Sequence, residues 1–219
     1  MSVIIDNLNE ESDVIEAQNA ALKNKNGLRY LKLDFREVRM DVMEALQPPP
    51  NLLGLVLEGY VGIEFPRWIT MSLNKLKVFT VSQCSSLPPL GNLQSLEELY
   101  IWSIENMKYL GRELLGITGD GRAIAFPKLK KLEIALCFKW TEWEDIRKEE
   151  EDVVSIMPCL RELLVQNCPN LKALPHRLLR RTPLDELNIY KSYLLIEQYK
   201  SSGGDEFLSP TCKVVVDNW

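Results

Sequence analysis

The sequence repeats. Aligned on an apolar residue followed at +3 and +5 by two more, it restarts at Leu28, Leu52, Leu76, Leu96, Leu129, Leu160 and Leu184, at intervals of 24, 24, 20, 33, 31 and 24 residues. The +3 column reads Leu31, Leu55, Phe79, Leu99, Leu132, Leu163 and Leu187, and the +5 column Leu33, Leu57, Val81, Ile101, Ile134, Val165 and Ile189. All 21 positions are apolar in a chain that is 46% hydrophobic, a coincidence of about 10⁻⁷ at random before allowing for the choice of register. A unit this short cannot bury its own apolar side, whereas stacked copies can. The feature therefore restricts the chain to one stack of similar units.

The even step between +3 and +5 is that of a short strand with both side chains pointing inward. At +8, three repeats carry Cys84, Cys137 and Cys168, small enough to pack where the chain turns away. At +11 stand Arg39, Ile63, Leu87, Met107, Trp140, Leu171 and Leu195, and at +14 Val42, Pro66, Leu90, Leu110, Trp143, Leu174 and Gln198. This is the leucine-rich-repeat template. The expected fold is an α/β solenoid, a curved horseshoe with short parallel strands on its concave face and irregular helix and turn arms on its convex face.

The arms differ in kind. Asp13 with Glu16 marks a helix start and Asn26-Gly27 a stop, so a helix is expected over 13–25. A shorter one opens at Asp41 and must end before Pro48-Pro49-Pro50. Phe65-Pro66, Leu87-Pro88 and Leu174-Pro175 mark extended or turn segments, and the arm from Glu105 to Ala125 carries a loop at 117–121. From Glu142 to Asp152 run seven carboxylates against Arg147 and Lys148, read as a solvated loop between repeats. Val3, Ile5 and Leu8 fit the +3, +5 and +8 columns of a unit whose first leucine would lie at position 0, so the sequence reads as cut from a longer array. The expected organisation is a repeat domain over 1–200, about seven repeats plus a partial one at the start. A tail over 201–219 follows, in which Val214-Val215-Val216 supplies a closing strand.

Composition removes most chemistry. A net charge of -5 and a pI near 5.2 disfavour nucleic acid. No apolar run approaches a membrane span, and the N-terminus lacks the pattern of a secretory signal. The five cysteines form no CxxC pair and read as reduced, packed thiols. The single His176 sits in HRLLRR, read as a solvated basic stretch rather than a catalytic or metal site. Glycine pairs at phosphate-loop spacing (Gly54/Gly59, Gly111/Gly116, Gly116/Gly121) are followed by no lysine. The expectation is a chain without catalysis, cofactor, metal or small-molecule ligand.

If +3 and +5 face inward, +2, +4 and +6 face out. Those columns place Tyr30, Val56, Glu58, Glu98, Tyr100, Trp102, Lys131, Glu133, Glu162, Leu164 and Tyr190 on the exposed side of the sheet, the candidate protein-binding face. Tyr100 and Trp102 stand out, because large aromatics ringed by polar groups are the composition of interface hot spots. The alternative at this point is that Trp102 packs under the following arm, near Met107 and Tyr109.

With these residues laid out, the chain resembles the C-terminal leucine-rich-repeat region of plant nucleotide-binding disease-resistance proteins of the coiled-coil class. The resemblance covers most of residues 1–200. It rests on SDVIEAQNAALKNKNGLRYLKLDF, VMEALQPPPNLLGLVLEGYVGIEFPRWI, LPPLGNLQSLEELYI, AFPKLKKLEIALCFKWTEWE and PCLRELLVQNCPNLKALP. It implies a cytoplasmic sensor whose partners are proteins: a pathogen effector, a guarded host protein, or the receptor's own nucleotide-binding module. No phosphate loop lies within the 219 residues, so the resemblance does not bring ATP or ADP with it. The rival readings are a leucine-rich-repeat adaptor for ubiquitin-ligase substrates, an enzyme decorated by repeats, and a non-functional receptor gene fragment.

Overall fold

The computed structural model describes residues 1–9, 11–36, 39–62, 64–111, 114, 123–150, 154–201 and 208–217. Its strands are β1 (Ser2–Leu8), β2 (Tyr30–Phe35), β3 (Gly54–Glu58), β4 (Val78–Ser82), β5 (Glu98–Trp102), β6 (Tyr109–Leu110) and β7 (Ala123–Ala125). They continue with β8 (Lys131–Ala135), β9 (Glu142–Trp143), β10 (Val154–Ile156), β11 (Glu162–Gln166), β12 (Glu186–Tyr190) and β13 (Lys213–Asp217). Among the described residues, β1-β2-β3-β4-β5-β8-β11-β12-β13 form one nine-stranded parallel sheet in strict chain order, one strand per coil. β13 is the ninth strand, pairing Val214 with Leu187 and Val216 with Ile189.

The repeat columns explain this sheet. Leu31, Leu55, Phe79 and Leu99 are register partners in turn, and the +5 residues align in the same way. All 21 residues of the three starting columns are at most 2% exposed. Each coil thus buries its apolar residues chiefly against the coils on either side, and together they form one continuous core.

A further periodicity appears at +7, where the chain leaves the strand. Asn7, Gly59, Gln83, Ser103, Leu136, Asn167 and Lys191 all adopt left-handed backbone angles, with φ between 48° and 74°. From Gly59 onward, each +7 amide donates to the +6 carbonyl of the next strand: Gly59 to Ser82, Gln83 to Trp102, Ser103 to Ala135, Leu136 to Gln166, Asn167 to Tyr190 and Lys191 to Asp217. The turn therefore adds one rung to each ladder from β3 to β13. It also aims the +8 side chain inward, where Tyr60, Cys84, Ile104, Cys137, Cys168 and Ser192 are buried. The three thiols donate to the +6 carbonyls of Ser82, Ala135 and Gln166 at 3.2–3.4 Å. Ser192 donates likewise to the Tyr190 carbonyl and accepts the amide of Cys168.

The helices lie in the arms: α1 (Val14–Ala20), α2 (Met40–Ala45), α3 (Trp68–Met71), α4 (His176–Arg180) and α5 (Tyr193–Ser201). The helix expected over 13–25 is shorter. Asp13 caps it as expected, accepting the Ile15 amide, but Ala21 adopts φ 45° and a 3-10 turn follows over Leu22–Asn24. A continued helix would carry Leu22 about 100° round the axis from Ala21; the break instead seats Leu22 in the core, 2% exposed. HRLLRR is not a solvated stretch but α4, which buries Leu178 and Leu179. Nor is the acidic segment simply a solvated loop. Asp145 accepts the amides of Arg177 and Leu178 at 2.8 and 2.9 Å, capping α4 from the preceding coil; Glu151 and Asp152 lie outside the described residues.

The two longest arms form strands of their own. β6 pairs β9 and β7 pairs β10, all in parallel, with Tyr109 opposite Glu142 and Ala123 opposite Val154. Those offsets equal the repeat intervals of 33 and 31, so equal insertions stay in step. Trp143 of β9 and the buried Trp140 pack with ring centroids 5.5 Å apart and planes tilted by 48°. The loop expected at 117–121 lies outside the described residues.

Candidate functional site

The arms cover one side of the sheet, and the +2, +4 and +6 side chains stand on the other. β5, β8 and β11 gather seven of the expected residues there. Register sets Glu98 opposite Lys131 and Lys131 opposite Glu162, Tyr100 opposite Glu133 and Glu133 opposite Leu164, and Trp102 opposite Ala135. The Tyr100 hydroxyl donates to Glu98 Oε2 at 2.7 Å, and Trp102 Nε1 donates to Glu133 Oε1 at 2.9 Å. The two rings meet edge to face, 5.9 Å between centroids at 68°, an arrangement favoured by the ring quadrupoles. Lys131 Nζ lies 5.8 Å from the Tyr100 ring centre and 3.6 Å from Glu162.

Small neighbours make this possible. Trp102 is flanked across the ladder by Ser82 and Ala135, which leave the indole room to lie over the sheet, and it remains 37% exposed. It does not fold under the following arm. Burial, then the Glu98 carboxylate beside it, raise the Tyr100 hydroxyl well above the ordinary phenol range, so it stays a hydrogen-bond donor.

The other expected residues lie apart from this cluster. Tyr30 packs its ring over Gly54, where an added Cβ would sit 2.5 Å from the ring. Val56 and Glu58 stand on β3, and Glu58 is held by Lys32 at 2.8 Å and Gln83 at 3.2 Å. β4, with Val78, Thr80 and Ser82, separates this group from the Tyr100–Trp102 pair. Tyr190 is on β12, its hydroxyl 3.4 Å from Asn188 Oδ1. The exposed columns of the nine strands carry Asp6, Asp34, Glu58, Glu98, Glu133, Glu162, Glu186 and Asp217 against Lys32, Lys131 and Lys213, an acidic face.

This arrangement offers contact and charge. Among the described residues no group of three or more His, Cys, Asp or Glu side chains is placed to hold a metal ion, and no helix is long and apolar enough to cross a membrane. Cys84 is fully buried, and burial pushes its thiol up to about 11, opposite to the shift of an activated nucleophile. Two exposed apolar residues beyond the strands went unnoticed in the sequence: Leu136 at +7 and Phe138 at +9, 41% and 57% exposed. The signal was a leucine at +7, where the coils other than that of Phe35 carry Gly, Asn, Gln, Ser or Lys.

Ladder, columns and left-handed turns together define a leucine-rich-repeat solenoid. A family model described as R13L1/DRL21 LRRs matches residues 1–104. An Arabidopsis thaliana protein named for disease resistance is 30% identical over 72% of this chain and 12% of its own length. Disease resistance protein RGA2 of Solanum bulbocastanum is 28% identical over 79% of this chain and 19% of its length. RPP13-like protein 1 of Arabidopsis is 29% identical over 84% and 19%. The chain is homologous to the leucine-rich-repeat region of plant disease resistance proteins, and it spans less than a fifth of the length of these three relatives.

Proposed function

We propose that this chain is a protein–protein recognition module acting in plant defence, as the repeat region of an intracellular, cytoplasmic receptor. It engages a pathogen effector, a guarded host protein or the receptor's own nucleotide-binding module, and performs no catalysis. Its relatives' names support the defence role. The observation that carries the recognition role is the Tyr100–Trp102 pair, held on the exposed side of a rigid ladder by Glu98 and Glu133. Aromatic groups fixed in place lose little conformational entropy on binding, which is why they dominate interface energetics.

The test places alanine at Tyr100 and Trp102 in a full-length receptor carrying this chain. Loss of effector-triggered or autoinhibitory contacts with the fold intact is the expected result. Contacts that persist in the double variant would move the recognition face elsewhere.

A further inference from the structure

Past the C-terminal ends of β5 and β8, the exposed face turns over a rim. Leu136 follows Ala135, the last residue of β8 and the register partner of Trp102. Two residues on, Phe138 is exposed. Between them and the preceding coil lies a groove of about 430 Å³ lined by Ser103, Ile104, Glu105, Leu136, Phe138 and Lys139. Single exposed apolar residues are ordinary, but Leu136 and Phe138 line one groove together, and clustered exposed apolar residues mark interaction sites.

The residue placed at the turn adds a second reason. Leu136 holds φ 59°, a conformation that costs a residue with a Cβ about 1–2 kcal/mol. Leucine offsets only part of this by packing, since it is 41% exposed. The angle itself belongs to the fold, since it recurs at +7 in other coils; what sets this coil apart is a half-exposed leucine where the other left-handed +7 turns carry Gly, Asn, Gln, Ser or Lys. The rim is also fixed: the Leu136 amide bonds to Gln166 and the Phe138 carbonyl accepts Asn170 Nδ2. Beside the aromatic pair, Glu98, Glu133 and Glu162 outnumber Lys131, while Glu105 and Lys139 balance within the groove.

We infer that this rim groove, whose Ser103 directly follows Trp102 in the chain, seats a segment of a partner protein that presents a large apolar side chain beside an arginine or lysine. The apolar group enters between Leu136 and Phe138, and the cation faces Glu133 and Trp102. The inference rests on the recognition reading above and gives it a location and a ligand chemistry.

Three pools of labelled twelve-residue peptides, random except for a central Arg-Xaa-Phe, Glu-Xaa-Phe or Arg-Xaa-Ser, test it by fluorescence polarisation on the purified chain. The Arg-Xaa-Phe pool should bind about tenfold more tightly than either other pool. Phe138→Ser and Leu136→Asn should each remove about that factor. Both variants should fold, since Phe138 is exposed and asparagine tolerates the left-handed turn. Met71→Ser, at a 72% exposed residue on α3, should change nothing. Pools that bind equally, or a preference that survives both rim variants, would overturn the groove. So would a dimer that Phe138→Ser dissociates, since the occupant would then be a second copy. If the groove fails while Tyr100→Ala and Trp102→Ala still abolish receptor contacts, the recognition face stands without it.

Discussion

Gly59 offers the sharpest test of how tightly one coil is set upon the next. It holds φ 74°, and a Cβ at this position would lie 2.2 Å from the backbone oxygen of Phe35 in the preceding coil. Ordinary carbon–oxygen contacts begin near about 3.3 Å, so Gly59→Ala requires a relative movement of roughly 1 Å between two backbones. Alanine in the left-handed region costs about 1–2 kcal/mol. The movement also threatens the Gly59 amide bond to Ser82, 2.9 Å long, worth about 0.5–1.5 kcal/mol. A stiffer unfolded chain returns about 0.4–1 kcal/mol. With residual strain from the contact, Gly59→Ala should lose about 2–4 kcal/mol in urea unfolding followed by far-ultraviolet circular dichroism, at unchanged m-value. Ser103 occupies the same column at φ 56°. There Ser103→Gly relieves backbone strain but loosens the unfolded chain, and should stay within about 1 kcal/mol of the parent. A Gly59→Ala protein within about 0.5 kcal/mol of the parent would show that the coils slide past one another, and the argument from fixed register would fall.

Leu163→Ala, at a fully buried +3 position, should cost about 2–5 kcal/mol in the same measurement; an unaffected midpoint would contradict a core shared between neighbouring coils. Asp145→Ala should cost about 0.5–2 kcal/mol by uncapping α4, read as earlier amide exchange at Arg177 and Leu178; unchanged exchange there would mean that the cap is incidental. Cys84 supplies a pH test. Its thiol is pushed up to about 11 from an ordinary 9.0, so its contribution is constant below pH 9, where both states are protonated. Above that the unfolded state releases its proton first, and stability falls by up to about 1.4 kcal/mol per pH unit until the folded thiol also ionises near 11. A Cys84→Ala variant should lack this share of the alkaline slope; identical slopes in parent and variant would refute it.

The sheet was legible because one periodicity served two purposes. Columns at +3 and +5 specify both the strand and its burial, so register followed from alignment alone. The +7 turns were not legible. Gln83, Ser103, Leu136 and Lys191 have no local preference for left-handed angles; the fixed positions of the flanking strands impose them. The arm ladders were hidden for a related reason. A two-residue strand such as β6 has no pattern of its own and exists because the next coil carries an insertion of matching length. In the candidate face, alternation along β5 exposed Tyr100 and Trp102, but not their partners. Glu98 lies two residues away on the same strand, and Glu133 is diagonal to Trp102 on the next, so both depend on rotamers rather than columns. Leu136 and Phe138 lie past the strand end, where alternation no longer predicts direction.

The paired strands in the long arms bear on the mechanics of the molecule. Neighbouring strands are spaced about 4.8 Å apart, whereas packed helices need about 8–10 Å. Where arms are helical, the outer wall of the solenoid is longer than the inner one and the ribbon must bend. Between the coil of β5 and the coil of β8, the outer wall includes β6 with β9 and β7 with β10, so both walls advance at the same pitch across that step. Hydrogen-bonded on both walls, that step is expected to bend less than one between helical arms. Tyr100, Trp102 and Glu133 stand on the strands of these two coils, so a partner of the kind proposed above would meet them on a flatter patch than a uniformly bent ribbon would offer.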